Sequence, residues 1–368
     1  MWTISQEKNW KALEEKFEWV AVMRTVPQDV RHHAEGDVAV HTQMVLKALT
    51  ELSEFQALSA QQQECLWASA LLHDVEKYTT TVIEPDGSVS AHGHARKGAL
   101  TSRHILYSEI PTPFFLREAV TSLVRYHGLP LWLLEKPDPV KQVIKASMEV
   151  NTKWLSLLAR ADVLGRICGD REDLLYRIDC FEEFCKENDC WGKARNFDSS
   201  AARMYYLMKD DGHPDYVPYE RPQFEVVLMS GLPGSGKDRY IRHRYKDLPV
   251  ISLDGLRDEM GVDARDKVGN GQVIQEAKER ARVFLRKQMS FVWNGTNITR
   301  QMRSQLIDLF AQYRAGVRIV YIEVAYQQLM QQNRNREAVV PVAALEKLIR
   351  KLEVPAAWES HELDLIVD

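Results

Sequence analysis

The sequence predicts two domains in tandem: an all-α domain over residues 1–209 and, after a linker at 210–222, an α/β domain with a parallel sheet over 223–368. Three observations lead there. Apolar residues recur three and four apart almost throughout the first part of the chain. From Phe224 onward, short apolar runs alternate with amphipathic stretches, the pattern of strands joined by crossover helices. Between the two, Asp210 to Pro222 is dense in Pro, Gly and acidic residues and breaks the helical period. At 42.4 kDa, with 45% hydrophobic and 27% charged residues, the chain is long enough for two cores of ordinary soluble composition.

In order, helices are expected at Val38 to Leu52, Gln61 to Leu72, Ala95 to Tyr107, Phe114 to Tyr126, Val140 to Leu158 and Arg171 to Cys190. Pro111, Pro113, Pro130, Pro137 and Pro139 punctuate them, and Glu84-Pro85-Asp86-Gly87 reads as a turn between two helices. The five cysteines include no Cys-x-x-Cys pair and are expected to be free thiols in a reducing compartment. Strands are expected at Phe224 to Met229, Pro249 to Asp254, Met289 to Trp293 and Val317 to Val324. Helices are expected after Gly236, around Val273 to Arg286 and from Thr299 to Tyr313.

The first strand runs into Gly231-Leu232-Pro233-Gly234-Ser235-Gly236-Lys237-Asp238, a Gly-x-x-x-x-Gly-Lys phosphate loop in its proper strand-to-helix setting. The glycines let backbone N–H groups close around a polyphosphate, and Lys237 adds charge for the β- and γ-phosphates. This half therefore handles ATP or GTP. Asp238 stands where such loops carry a Ser or Thr hydroxyl for Mg2+; it either ligates the metal itself or faces solvent.

The next strand leads to Asp254 and Arg257 at the carboxyl edge of the sheet, beside the nucleotide. Asp254 can accept the proton of an attacking hydroxyl, or hold Mg2+ in an ATP switch that transfers phosphate only to water. Arg257 can grip a phosphate or carboxylate by its planar fork. Asn294 and Asn297 close a later strand, where they cap the following helix or point into the cleft. Arg334 and Arg336 follow the last strand and form either a lid over ATP or an exposed basic helix face.

Eight of the eleven histidines precede residue 130. His41, His73-Asp74, His94, His127 and Asp162, drawn from several helices, make a site for one or two divalent transition metals, with Asp74 able to bridge. Such metals hold a phosphate oxygen and activate water for phosphoester hydrolysis. Lys77, one turn beyond His73, can neutralise a substrate phosphate. His33 is a weaker candidate for contact with substrate.

Residues 223–368 resemble polynucleotide 5′-kinases of the phage and bacterial end-repair type. The resemblance implies that Asp254 is the general base for a polynucleotide 5′-OH, that Arg257 binds an acceptor-strand phosphate, and that lid arginines contact ATP. Residues 20 to 170 resemble the HD phosphohydrolase superfamily on His33-Ala34-Glu35-Gly36-Asp37-Val38 through His41-Thr42, Leu71-Leu72-His73-Asp74 and Ala161-Asp162-Val163-Leu164-Gly165-Arg166. They look most like HD domains fused to tRNA nucleotidyltransferases. By that resemblance His41, His73, Asp74 and Asp162 are core ligands, and His94 and His127 hold a second metal.

The combination is similar to bacterial HD/polynucleotide-kinase fusions. It implies a bifunctional end-healing enzyme that uses ATP and Mg2+ to phosphorylate 5′-OH ends and removes a 2′,3′-cyclic phosphate or 2′-phosphate. RNA or DNA ends are the expected partners, with a nucleic-acid ligase acting downstream. The rival is an HD nucleotidase joined to a kinase of a nucleoside or metabolite; an open basic track, for which Arg257, Arg300 and Arg303 are candidates, would favour the polynucleotide reading. Net charge is −4 overall, about −7 before Gln223 and +3 after it. No apolar run nears the ~20 residues of a membrane span. The opening residues carry charges without a secretory core, so a cytoplasmic enzyme is expected.

Overall fold

The computed structural model describes residues 1–209, 211–219, 222–336 and 338–367. The chain divides into two compact units, Met1–Asn196 and Phe197–Asp368. This division precedes the expected linker, of which Asp210, Glu220 and Arg221 lie outside the described residues. The reason is the Ser200–Met208 helix. Its Met204 shares a buried cluster with Phe224, Val226 and Phe291. Its Arg203 donates to the carbonyls of Ser360 and His361 at 2.9 and 2.7 Å.

In the first unit, the Val38–Glu51, Ala60–Leu72, His94–His104, Phe114–Tyr126 and Thr152–Leu164 helices pack on one another. Their stripes supply fully buried Leu66, Leu71, Val120, Val124, Leu155 and Leu158. Starts are set by side-chain caps: Asp37 accepts from Val40 N–H at 2.9 Å, and Asn151 from the N–H groups of Lys153 and Trp154. Gly165 follows the last of these helices. A Cβ there would lie 2.7 Å from Val45 N, so glycine permits the close approach that brings the Asp162 segment onto the helix of His41. The Glu84–Gly87 turn does not join two helices directly. It closes a two-stranded antiparallel ribbon, β1 (Val82–Ile83) and β2 (Val89–Ser90), with Gly87 at φ +82°.

The second unit holds five parallel strands: β3 (Glu225–Ser230), β4 (Val250–Ser252), β5 (Phe291–Asn294), β6 (Gly316–Glu323) and β7 (Glu362–Val367). Their spatial order is β4-β5-β3-β6-β7. In central β3, Val226 and Leu228 enter one core while Val227 and Met229 enter the core on the other face. Burial on both faces is why this strand reads as an unbroken apolar run. The chain leaves β3 toward one side of the sheet and later crosses to the other, so the crevice for a ligand opens at the carboxyl end of β3. Among the described residues, no helix is long and apolar enough to cross a membrane.

Candidate active sites

In the first unit, the histidines of interest stand at helix ends. His73 and His127 are the C-cap residues of the Ala60–Leu72 and Phe114–Tyr126 helices, and each Nδ1 bonds a carbonyl of the last turn, Ala70 at 2.7 Å and Val124 at 2.8 Å. His94 opens its helix with Nδ1 on Ala91 O at 2.7 Å, and His41 holds Nδ1 on Glu35 Oε1 at 2.9 Å. A neutral imidazole whose Nδ1–H is committed this way presents a bare lone pair on Nε2.

Those four Nε2 atoms converge. His73 and His41 approach to 3.4 Å and His94 and His127 to 3.2 Å. Asp74 lies between the pairs: Oδ2 is 3.2 Å from His73 Nε2 and 3.7 Å from His41 Nε2, while Oδ1 is 3.5 Å from His94 Nε2. Asp162 Oδ1 is 3.1 Å from His41 Nε2. Two sets of three, His41/His73/Asp162 and Asp74/His94/His127, thus have donor atoms within 4.8 Å of one another. Facing lone pairs repel unless a cation lies between them. Asp74 Oδ2 is also buried, with Lys77 Nζ at 2.8 Å. The donor chemistry of the two sets, imidazoles with carboxylates, fits divalent metal ions.

The charges around the cluster are arranged to match. Despite burial, His73 and Lys77 hold the Asp74 carboxyl well below its ordinary range; Lys77 Nζ is 2.8 Å from Oδ2 and donates to Gln28 Oε1 at 2.6 Å. Asp162 is likewise held low against burial, through Arg166, whose Nε is 3.1 Å from Oδ1, and His41. Burial pushes the His127 imidazole down to about 3, reinforced by His94 and His73. His73 is raised, because Asp74 and Asp162 outweigh burial. A cleft of about 450 Å³ opens on the cluster, lined by Lys77, His94, His127, Trp132 and Arg166 among others.

Glu35 was not foreseen as a site residue. Its buried carboxylate accepts from Ile167 N–H at 2.8 Å and joins the rings of His41 and His33, the latter at 2.8 Å. Burial alone would raise this carboxyl, but those bonds hold it far below its usual range. His33 is therefore tied to Glu35, its ring 4.7 Å from that of His41, and burial pushes it down to about 4. The spacing of Glu35, two after His33 and six before His41, was the available clue.

In the second unit, the phosphate loop follows β3 with Gly231, Gly234 and Gly236 at φ +147°, +85° and +99°. A Cβ on Gly231 would lie 2.4 Å from Ile322 O. Leu232 is buried, Pro233 is half-buried, and Ser235 Oγ is buried without a hydrogen bond. Lys237 donates to Gly231 O and Leu232 O, both at 2.8 Å, and burial pushes its ammonium down to about 8. Arg336 Cδ comes within 3.9 Å of the Cβ position of Gly234, which places this arginine over the loop, whereas Arg334 is exposed at the end of the Tyr326–Arg334 helix. Asp238 accepts from Asn294 Nδ2 at 2.7 Å.

Four expectations change. Strand β4 ends at Ser252, whose Oγ caps a helix over Leu253–Met260, so Asp254 lies in a helical first turn rather than on a strand. There it is exposed and ion-paired with Arg257, which also donates to Asn270 at 2.9 Å. Asn297 neither caps nor faces the cleft: its amide is buried on Met229 O at 2.7 Å, its φ is +43°, and Thr299 caps the next helix. Arg303 is fully buried, in a two-pronged pair with Glu359 at 2.7 and 2.9 Å. Arg300 stacks on Trp358 at 4.7 Å and faces Glu359 at 3.4 Å, so neither arginine contributes to an open track.

Residues 38–165 match the HD domain family and residues 226–355 match a family described as AAA domain. A stretch of 118 residues is 34% identical to the Multifunctional CCA protein of Methylococcus capsulatus, covering 32% of this chain and 25% of that protein. Another, of 121 residues, is 31% identical to the Multifunctional CCA protein of Thioalkalivibrio sulfidiphilus, covering 33% and 27%. The chain spans about a quarter of the length of these curated relatives. A solved sugar kinase from Janibacter sp. HTCC2649 aligns over 40% of this chain and 85% of its own, at 18% identity and a TM-score of 0.29. An HD domain implies dependence on a divalent metal, and a phosphate-loop domain implies a nucleotide with Mg2+. The chain is an enzyme that joins an HD domain to an α/β domain with a phosphate loop, matched by the AAA-domain family.

Proposed function

We propose that this enzyme heals nucleic-acid ends, phosphorylating 5′-OH termini with ATP and removing 2′,3′-cyclic phosphate or 2′-phosphate in its HD half. The observation that carries the proposal is the convergence of four Nδ1-anchored imidazoles and two carboxylates in the same chain as a phosphate loop with an acid at the next strand's carboxyl end. His41, His73, Asp74 and Asp162 would hold one metal ion, and Asp74, His94 and His127 a second. When bound, such ions polarise a phosphoester and supply a water of lowered pKa.

The chain's own groups do the rest. Lys77 and Arg166, which line the cleft, balance the charge of a bound phosphate. In the kinase half, Lys237 exchanges its two loop carbonyls for ATP phosphates, and Arg336 over the loop stabilises charge on the transferred group. Asp254, accessible and oriented by Arg257, accepts the acceptor hydroxyl's proton. Exposed Arg239 and Arg242, one turn apart on the helix after the loop, offer the strand cations on one side of that helix. RNA and DNA ends are then the partners, and ligation the step that follows.

Burial of Arg303 favours a second reading, an HD nucleotidase fused to a small-molecule kinase, because it removes one cation from the expected track. Transfer of the γ-phosphate from ATP to a 5′-OH oligonucleotide decides between them. Transfer by wild type, lost in Lys237→Ala and Asp254→Ala, supports end healing; ATP turnover without labelling of any RNA or DNA end overturns it.

A further inference from the structure

We infer that Trp132 is a stacking platform for the nucleobase of the terminal nucleotide whose phosphate enters the HD site. The inference rests on the phosphoesterase reading above. Trp132 lines the same cleft as the metal cluster, five residues beyond His127, yet the residue is 43% exposed. The Cβ position of Gly128, next to His127, is 3.8 Å from Trp132 Cδ1, so the indole begins directly beside the cluster.

One side of the ring is braced. The Arg177 guanidinium lies 4.9 Å from the indole centroid, and it is itself held by Asp173 at 2.9 Å, Glu135 at 2.7 Å and the Leu131 carbonyl at 3.3 Å. With two carboxylates on it, Arg177 carries little net charge to offer a phosphate. What remains is a rigid support that fixes the plane of a large aromatic surface at the mouth of a phosphate-processing cleft. Phosphate charge is met elsewhere in the cleft, by Lys77 and Arg166. A nucleobase is the flat, π-faced group that accompanies a terminal phosphate, and its stacking is tolerant of sequence.

The test uses the full-length enzyme and compares hydrolysis of adenosine 2′,3′-cyclic phosphate with that of 1-O-methylribose 2′,3′-cyclic phosphate, which lacks a base. Wild type should prefer the base-bearing substrate in kcat/KM by about tenfold, mostly through KM. Trp132→Ala should erase that preference, Trp132→Phe should retain most of it, and Arg177→Met should reduce it. Equal preference in wild type and Trp132→Ala overturns the platform while leaving the phosphoesterase intact. Loss of kcat on both substrates in Trp132→Ala also overturns it, because that marks a structural role. Should wild type hydrolyse neither compound, the phosphoesterase reading falls, and the platform with it.

Discussion

Glu35 shows how much a single buried carboxylate can organise. It fixes the tautomer of His41 and ties that ring to the Ile167 backbone. Removing such an outer partner typically costs 10–100-fold in metal affinity. Glu35→Ala should therefore weaken metal retention by about that factor in a competitive chelator titration, and affinity equal to wild type would refute the role. Lys237 supports a prediction about pH. Its folded value near 8 lies below the ordinary lysine value, so burial penalises the charged form. The penalty is fully present below about pH 8 and fades as pH rises toward the ordinary lysine range. ATP phosphates favour the ammonium, so binding should take up almost no proton at pH 7 and approach one at pH 9. Calorimetry in buffers of different ionisation enthalpy measures this; equal uptake at both pH values would contradict it.

At the scale of elements, Gly165 and Arg303 carry the loads. Gly165→Ala should push the Asp162 helix off Val45, lowering the unfolding temperature of the first unit and its phosphoesterase rate, with kinase activity as the internal control. Arg303→Ala strips buried Glu359 of its two-pronged partner and leaves it the Ala356 N–H and the more distant Arg300, at a cost of about 3 kcal/mol, so thermal unfolding should detect it before any selective loss of nucleic-acid binding. These elements also mark where the sequence could be read and where it could not. Helices of the first unit and β3, β5 and β6 were legible because their apolar periods are strong. Strand β7 was not, since Glu362 and Asp364 interrupt an edge strand that is only half-buried. Arg303 read as surface because arginine rarely lies inside a core and its partner is 56 residues away. Asp254 was correctly located near the sheet edge but placed on the strand, because the single Ser252 cap that starts a helix there weighs little in an apolar pattern.

On the scale of the whole molecule, each compact unit encloses its own reactive groups. Asp74→Ala should abolish phosphoesterase activity while kinase activity stays within about twofold, and Lys237→Ala should do the converse; loss of both activities in either variant would disprove this separation. The converging histidines were visible as a set in the sequence because the residue types are rare together, whereas their anchoring needed coordinates. His73 and His127 each end the helix that carries them by bonding a carbonyl of its last turn. The length of each helix is thereby a ruler for its ligand. One residue inserted within either helix would advance the imidazole by 1.5 Å and swing it through about 100°, whereas the turn after His127 lies beyond the ruler. Tolerance to insertion should thus change abruptly at His127, and changes in substrate preference can accumulate in the turn beyond it without disturbing the ligand set, whereas after His73 the ligand Asp74 follows at once.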